Sequence, residues 1–118
     1  MIKELVIDRA TWVNGDSPED SELYTEFGNK CCLGFLGEAC GVKLGDMLRA
    51  GTPSNYSEIK EFFPKELFNP IASEDEEACK SVEGLLIQIN DGDYDKEERE
   101  LRLKQEFKKH LDIDLTFI

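Results

Sequence analysis

Cys31-Cys32-Leu33-Gly34-Phe35-Leu36-Gly37-Glu38-Ala39-Cys40-Gly41 carries three of the chain's four cysteines and three of its nine glycines. Glu38 is its one charged residue, in a chain with 26 acidic and 14 basic residues and a formal net charge of −12. A run so poor in charge is written for burial. It predicts a core helix from Cys31 to Cys40, ended by Gly41 in the C-terminal position that favours glycine. Gly34, Gly37 and Gly41 clear one side of that helix for a close neighbour. Each interior glycine costs ~0.5–1 kcal/mol relative to alanine, which close packing has to return. The expected neighbour is the stripe Ala78, Val82, Leu85, Leu86 and Ile89, which has its own Gly84.

Outward from this run, the chain alternates short elements with turns. Lys3–Asp8 reads as a strand with Leu5 and Ile7 on one side. Asp8 is placed to cap a helical turn, Arg9–Val13, that aims Trp12 inward. Leu23–Phe27 reads as a brief extended piece, closed by a turn at Gly28-Asn29. A second helix is predicted over Leu44–Arg49, stopped by Gly51-Thr52-Pro53. From Thr52 to Pro70 the pattern is irregular, and Tyr56, Phe62, Phe63 and Phe68 predict a loop pinned onto the core.

Ser73-Glu74-Asp75-Glu76 has the form of a capping box, and it predicts a helix carrying the stripe through Ile89. Asp95 with Glu98 repeats that pattern for a helix from Lys96 to about His110. Leu103, Phe107 and Leu111 are its expected inward residues, with Arg99 and Glu106 outside. Ile113, Leu115 and Phe117 then alternate with polar residues, as in a half-buried strand. The expected whole is one α+β domain over residues 1–118, with about four helices packed on a small sheet formed by the N- and C-terminal strands.

No stretch of about 20 apolar residues offers a membrane span. The start, Met1-Ile2-Lys3-Glu4, lacks a secretory pattern, so a cytoplasmic protein is expected. In that compartment the four cysteines are thiols or metal ligands, rather than a disulfide framework. The charge repels nucleic acid and anionic lipid, and attracts basic partners over a Debye length of ~8–10 Å. Glu74, Asp75, Glu76 and Glu77 form one acidic cluster, and Asp91, Asp93, Asp95, Glu97 and Glu98 form another. Between Arg9 and Lys30 there are five further acids and no basic residue. These acids either solubilise a small protein or form its partner-binding surface.

Three chemical readings attach to the cysteines and acids. A zinc site would draw on Cys31 or Cys32 with Cys79, completed by His110 or a carboxylate. Cys32 and Cys40 cannot share one ion, because eight helical residues span ~12 Å. A catalytic thiol at Cys31 or Cys32 would use the helix dipole to lower its pKa and His110 as base, oriented by Asp112 or Asp114. Asp91-Gly92-Asp93-Tyr94-Asp95 resembles the opening of a calcium loop, but Lys96 replaces the turn glycine and Arg102 the closing glutamate. The expectation is therefore no cofactor.

Asp8-Arg9-Ala10-Thr11-Trp12, Cys31-Cys32-Leu33-Gly34-Phe35, Ala39-Cys40-Gly41, Ile89-Asn90-Asp91 and Glu97-Glu98-Arg99-Glu100 together resemble a group of small phage and prophage proteins. The resemblance covers most of the chain, implies a phage origin and brings no catalytic residues with it. Small acidic phage proteins commonly inhibit host proteins, CRISPR effectors among them. The expected function is thus a phage-derived inhibitor that mimics nucleic-acid charge on a basic host protein, and the alternatives are the thiol or zinc enzyme and an accessory module.

Overall fold

Alternation at the two ends of the chain closes the fold. Leu5 and Ile7 of strand β1 (Glu4–Ile7) point inward, as do Leu115 and Phe117 of β2 (Asp114–Phe117). The two strands pair in parallel, Leu5 beside Leu115 and Ile7 beside Phe117. The computed structural model describes residues 2–71 and 81–118. Between the strands lie helices α1 (Cys32–Ala39), α2 (Leu44–Met47), α3 (Ser57–Lys60), α4 (Val82–Asp91) and α5 (Lys96–Leu111), with short 3-10 turns at Arg9–Thr11, Pro53–Asn55 and Lys65–Phe68. The architecture is the expected α+β, with α2 and α3 only one turn each. One hydrophobic core runs from Leu5 to Phe117. Among the described residues no helix is long and apolar enough to cross a membrane.

Helix α1 ends as its glycine predicts. Gly41 takes φ +102°, its N–H donates to Glu38 O at 3.1 Å, and the Val42 N–H reaches back to Gly37 O at 2.9 Å. This is a Schellman closure, and it satisfies two carbonyls that the helix would otherwise leave open. Asp8 also behaves as predicted, accepting the Ala10 N–H at 2.9 Å. It launches the turn that buries Trp12, whose ring lies 5.0 Å from Phe117. Arg9 leaves the same turn to fork onto Glu100 of α5 at 2.8 and 2.7 Å. That hydrogen-bonded pairing holds the Glu100 carboxyl below its usual pKa.

Five expectations are corrected. The glycine side of α1 does not face α4. A Cβ on Gly34 would stand 1.8 Å from Leu23 O, and one on Gly37 would stand 2.8 Å from Met47 Sδ and the Phe63 ring. The glycines admit the chain before α1 and the α2–α3 region, while Cys32 meets α4 through a 3.9 Å contact of its thiol with Leu86 O.

The stripe helix starts later than the capping box implies. Ser81, in extended backbone, accepts the Gly84 N–H at 3.1 Å and makes Val82 the first residue of α4. The proposed box at Ser73, the acids Glu74–Glu77, Ala78 and Cys79 lie outside the described residues. Asp95 precedes α5 without a side-chain cap, and Glu98, expected to complete a box with it, pairs along the helix with Arg102 at 2.9 Å instead.

Helix α2 stops at Met47 rather than Arg49. Arg49 adopts φ +63° and donates its N–H to Tyr24 O, which turns the chain away. The fifth correction concerns Arg99, which points inward and anchors the region described next. Of the irregular segment's aromatics, Phe63 is buried and Phe68 half-buried, while Tyr56 and Phe62 face solvent.

Candidate functional site

The corner between α4 and α5 gathers the acids expected to bind a partner. Asp91 closes α4, Asp93 and Asp95 lie in the connecting loop, and Glu97 and Glu98 occupy the first turn of α5. All five are exposed. Glu98 pairs with Arg102, and Asp91 accepts an amide hydrogen from Asn90 at 2.8 Å. Asp93, Asp95 and Glu97 have no ion-pair partner among the described residues. Two of the acids sit where the α5 dipole is positive, so the helix tolerates their crowding.

A buried cation holds this corner from beneath. Arg99 is only 1 % exposed. Its Nη1 donates to the carbonyls of Ile89, Asn90 and Gly92 at 3.0, 2.9 and 2.8 Å, and its Nη2 donates to Tyr94 O at 3.1 Å. Two of those carbonyls belong to the last turn of α4, where helical acceptors lack partners and a positive charge is favoured. Asp16 completes the arrangement at 3.5 Å from Nη2, mostly in solvent. The planar guanidinium thus spans a helix end and a loop in one step, a task suited to arginine rather than lysine.

Asn90, at 1 % exposure, is the second organiser. Its Oδ1 accepts the Trp12 indole N–H at 2.8 Å and the Cys32 backbone N–H at 3.1 Å, and its Nδ2 donates to Val13 O at 3.1 Å. Cys31 precedes α1 without capping it, so Asn90 supplies the missing cap from α4. The Asn90 carbonyl also accepts the Gly15 N–H at 2.8 Å. The backbones cross so closely there that a Cβ on Gly15 would come within 2.4 Å of Gly92 O.

Sequence reasoning missed both organisers, although a signal existed. Asn90 lies four residues after Leu86, and Arg99 four before Leu103, so each falls on its helix's buried face. The segments Asp8–Trp12, Cys31–Phe35, Ile89–Asp91 and Glu97–Glu100 contain Arg9, Trp12, Cys32, Asn90, Arg99 and Glu100. In the fold these residues bond to one another or to a shared backbone.

The cysteine and histidine readings gain no geometric support. Cys31 and Cys32 are both buried. Burial pushes the Cys31 thiol up to about 12, outweighing the backbone hydrogen bonds at Gly34 and Leu33 that lower it, and burial raises Cys32 well above its ordinary value. A nucleophile needs the opposite shift. His110 stands 3.1 Å from Glu106 in a groove between α4 and α5, while Asp112 engages Lys3 and Lys108, and Asp114 engages Lys108. Neither aspartate orients the imidazole. Among the described residues no three His, Cys, Asp or Glu side chains converge as a metal ion would require.

The thiols give a direct check. With Cys79 replaced by serine, alkylation at neutral pH is expected to label half-buried Cys40 first, and Cys31 and Cys32 only on unfolding. Because the Cys31 thiol ionises at 9.0 when free and about 12 when folded, the unfolded chain binds fewer protons between those values. Stability therefore falls as pH rises through that window. Rapid labelling of Cys31 or Cys32 in the folded protein would contradict this account.

Comparison with known proteins finds no matching family model, no matching curated protein and no matching solved structure.

Proposed function

We propose that this chain is a non-enzymatic, phage-derived inhibitor that covers a basic surface of a host protein with the carboxylates of the α4–α5 corner. The observation that carries this reading is the join of Asp91, Asp93, Asp95, Glu97 and Glu98, all exposed, to a loop pinned by the four carbonyl bonds of Arg99. Charges on a loop that is already ordered lose little entropy when a partner engages them. Carboxylates so held can stand in for phosphates, which occur at one charge per ~1.7 Å of duplex axis. A nucleic-acid channel, such as that of a CRISPR effector, is the kind of basic surface that suits them. Glu74, Asp75, Glu76 and Glu77 join the proposal on sequence grounds as a second acidic group. The net charge of −12 disfavours direct binding to nucleic acid or an anionic membrane.

Affinity capture from host lysate at low and high salt tests the reading, with the captured protein identified by mass spectrometry. A basic, nucleic-acid-binding partner is expected, with affinity that drops steeply as salt rises. Combining Asp91→Asn, Asp93→Asn, Asp95→Asn, Glu97→Gln and Glu98→Gln is expected to weaken that partner by about tenfold or more at low salt and flatten the salt dependence. Unchanged binding by this variant, or capture indifferent to salt, overturns the reading.

A further inference from the structure

Phe27 is the most exposed large apolar side chain among the described residues, with 74 % of its surface open to solvent. The fold holds it there. Buried Thr25 accepts the N–H groups of Phe27 and Asn29 on its hydroxyl at 3.3 and 3.1 Å, and its own N–H donates to Asn29 O at 2.7 Å. Gly28, at φ +86°, closes the turn with an N–H to Thr25 O at 3.0 Å. The entering strand-like segment is tied to Leu48 through Tyr24, and the departing one to Trp12 through Lys30.

The ring borders two hollows, which share Pro18 and Glu19. The first, about 420 Å³, is walled by Ala10, Trp12 and Pro18 on its apolar side and by Ser17, Glu19 and Asn29 on its polar side. The other, about 340 Å³, is walled by Glu19, Asp20, Glu22 and Glu26, with Arg49 the one cation. Arg49 reaches Glu26 at 3.3 Å with both side chains more than half exposed, a pairing that a competing cation can replace. A hollow with one apolar wall, an exposed aromatic face and an under-neutralised acidic hollow beside it complement one kind of partner surface.

We propose that the Phe27 turn grips an arginine-bearing protein segment. The guanidinium lies on the Phe27 ring among the carboxylates of the acidic hollow, and an apolar neighbour of that arginine seats between Trp12 and Pro18. Arginine fits better than lysine because its planar group stacks on a ring and forks to a carboxylate together. The inference rests on the reading that this chain binds a basic protein, and it adds a second contact surface with a named side-chain preference.

The test titrates the isotope-labelled full chain with the blocked peptide Gly-Leu-Arg-Arg-Leu-Gly, its lysine and glutamine versions serving as controls, and follows amide shifts. Shifts are expected at Thr25–Asn29, Trp12 and Ser17–Glu22, strongest with arginine and absent with glutamine. Phe27→Ala and Phe27→Leu are each expected to weaken binding about fivefold, and Phe27→Trp to retain it. Because the side chain is solvent-facing, these variants leave the core untouched. Equal binding by Phe27→Ala, shifts confined to Asp91–Glu98, or no binding at millimolar peptide would each overturn the proposal. The peptide is defined, so its failure leaves the reading of the α4–α5 acids standing. Loss of that reading in lysate capture likewise leaves this result interpretable.

Discussion

Replacing Arg99 with leucine is expected to lower the unfolding free energy by about 3–5 kcal/mol, the usual cost of stripping a buried charge from its partners. Leucine fills part of the space but donates nothing. The carbonyls of Ile89, Gly92 and Tyr94 would then face an apolar side chain where they had a charged donor. Against a domain stability of about 5–15 kcal/mol, that loss is large, and it corresponds to a fall in Tm of roughly 10–20 °C. Arg99→Lys separates charge from geometry. It keeps the cation but has no planar fork, so more than half of the loss is expected to remain. Urea denaturation of the three proteins measures both effects, and a change below ~1 kcal/mol for Arg99→Leu would refute the assigned role. The same Arg99→Lys protein should bind the partner of the α4–α5 acids less well, because the loop between them, which carries Asp93 and Asp95, loses its anchor.

Asn90→Leu is expected to cost about 3–4 kcal/mol for a related reason, namely polar groups left buried without partners. The Trp12 indole N–H, the Cys32 N–H and the Val13 carbonyl would lose their bonds together. Trp12 is the chain's single tryptophan, so its emission reports the change without a label. Asn90→Asp sharpens the test. It preserves an acceptor for Trp12 and Cys32 but removes the donor to Val13, and it sets a second carboxylate beside Asp91. Relative to the parent protein, Asn90→Asp is expected to recover stability as pH falls, since protonation restores a donor and removes the repulsion. Were Asn90→Leu as stable as the parent, α1 would have to draw its N-terminal stability from elsewhere.

Those two residues also mark where the sequence could be read and where it could not. Period and punctuation exposed the elements themselves. Leu5 and Ile7 with Leu115 and Phe117 announced a sheet of the two ends, and Gly41 announced how α1 stops. These signals are local, because a strand's alternation or a left-handed glycine acts on its immediate neighbours. The partners of Gly34 and Gly37 were not legible, since close approach says only that something comes near. Charge misled most at Arg99. A charged residue on an apolar stripe is ordinarily placed outside, and only the carbonyls at the end of a helix that stops eight residues earlier, and of the loop after it, make its burial favourable. The five acids of the α4–α5 corner were visible as a charge cluster. That they gather around one anchored corner, two of them on its loop and three on the flanking helix ends, became visible only in the fold.

The parallel pairing of β1 with β2 has a consequence for how the molecule comes into being. Glu4 waits for Asp114, 110 residues later in the chain, before either strand has a neighbour. Closing a loop of that length costs about 4 kcal/mol in chain entropy, and contacts so remote in sequence slow folding. During synthesis β1 precedes β2 and stays without a mate until the chain through Phe117 has been made. Helix α1 shares this dependence, since its cap at Asn90 comes from α4. The sheet is therefore a latch that engages only after the helices between its two strands have been made.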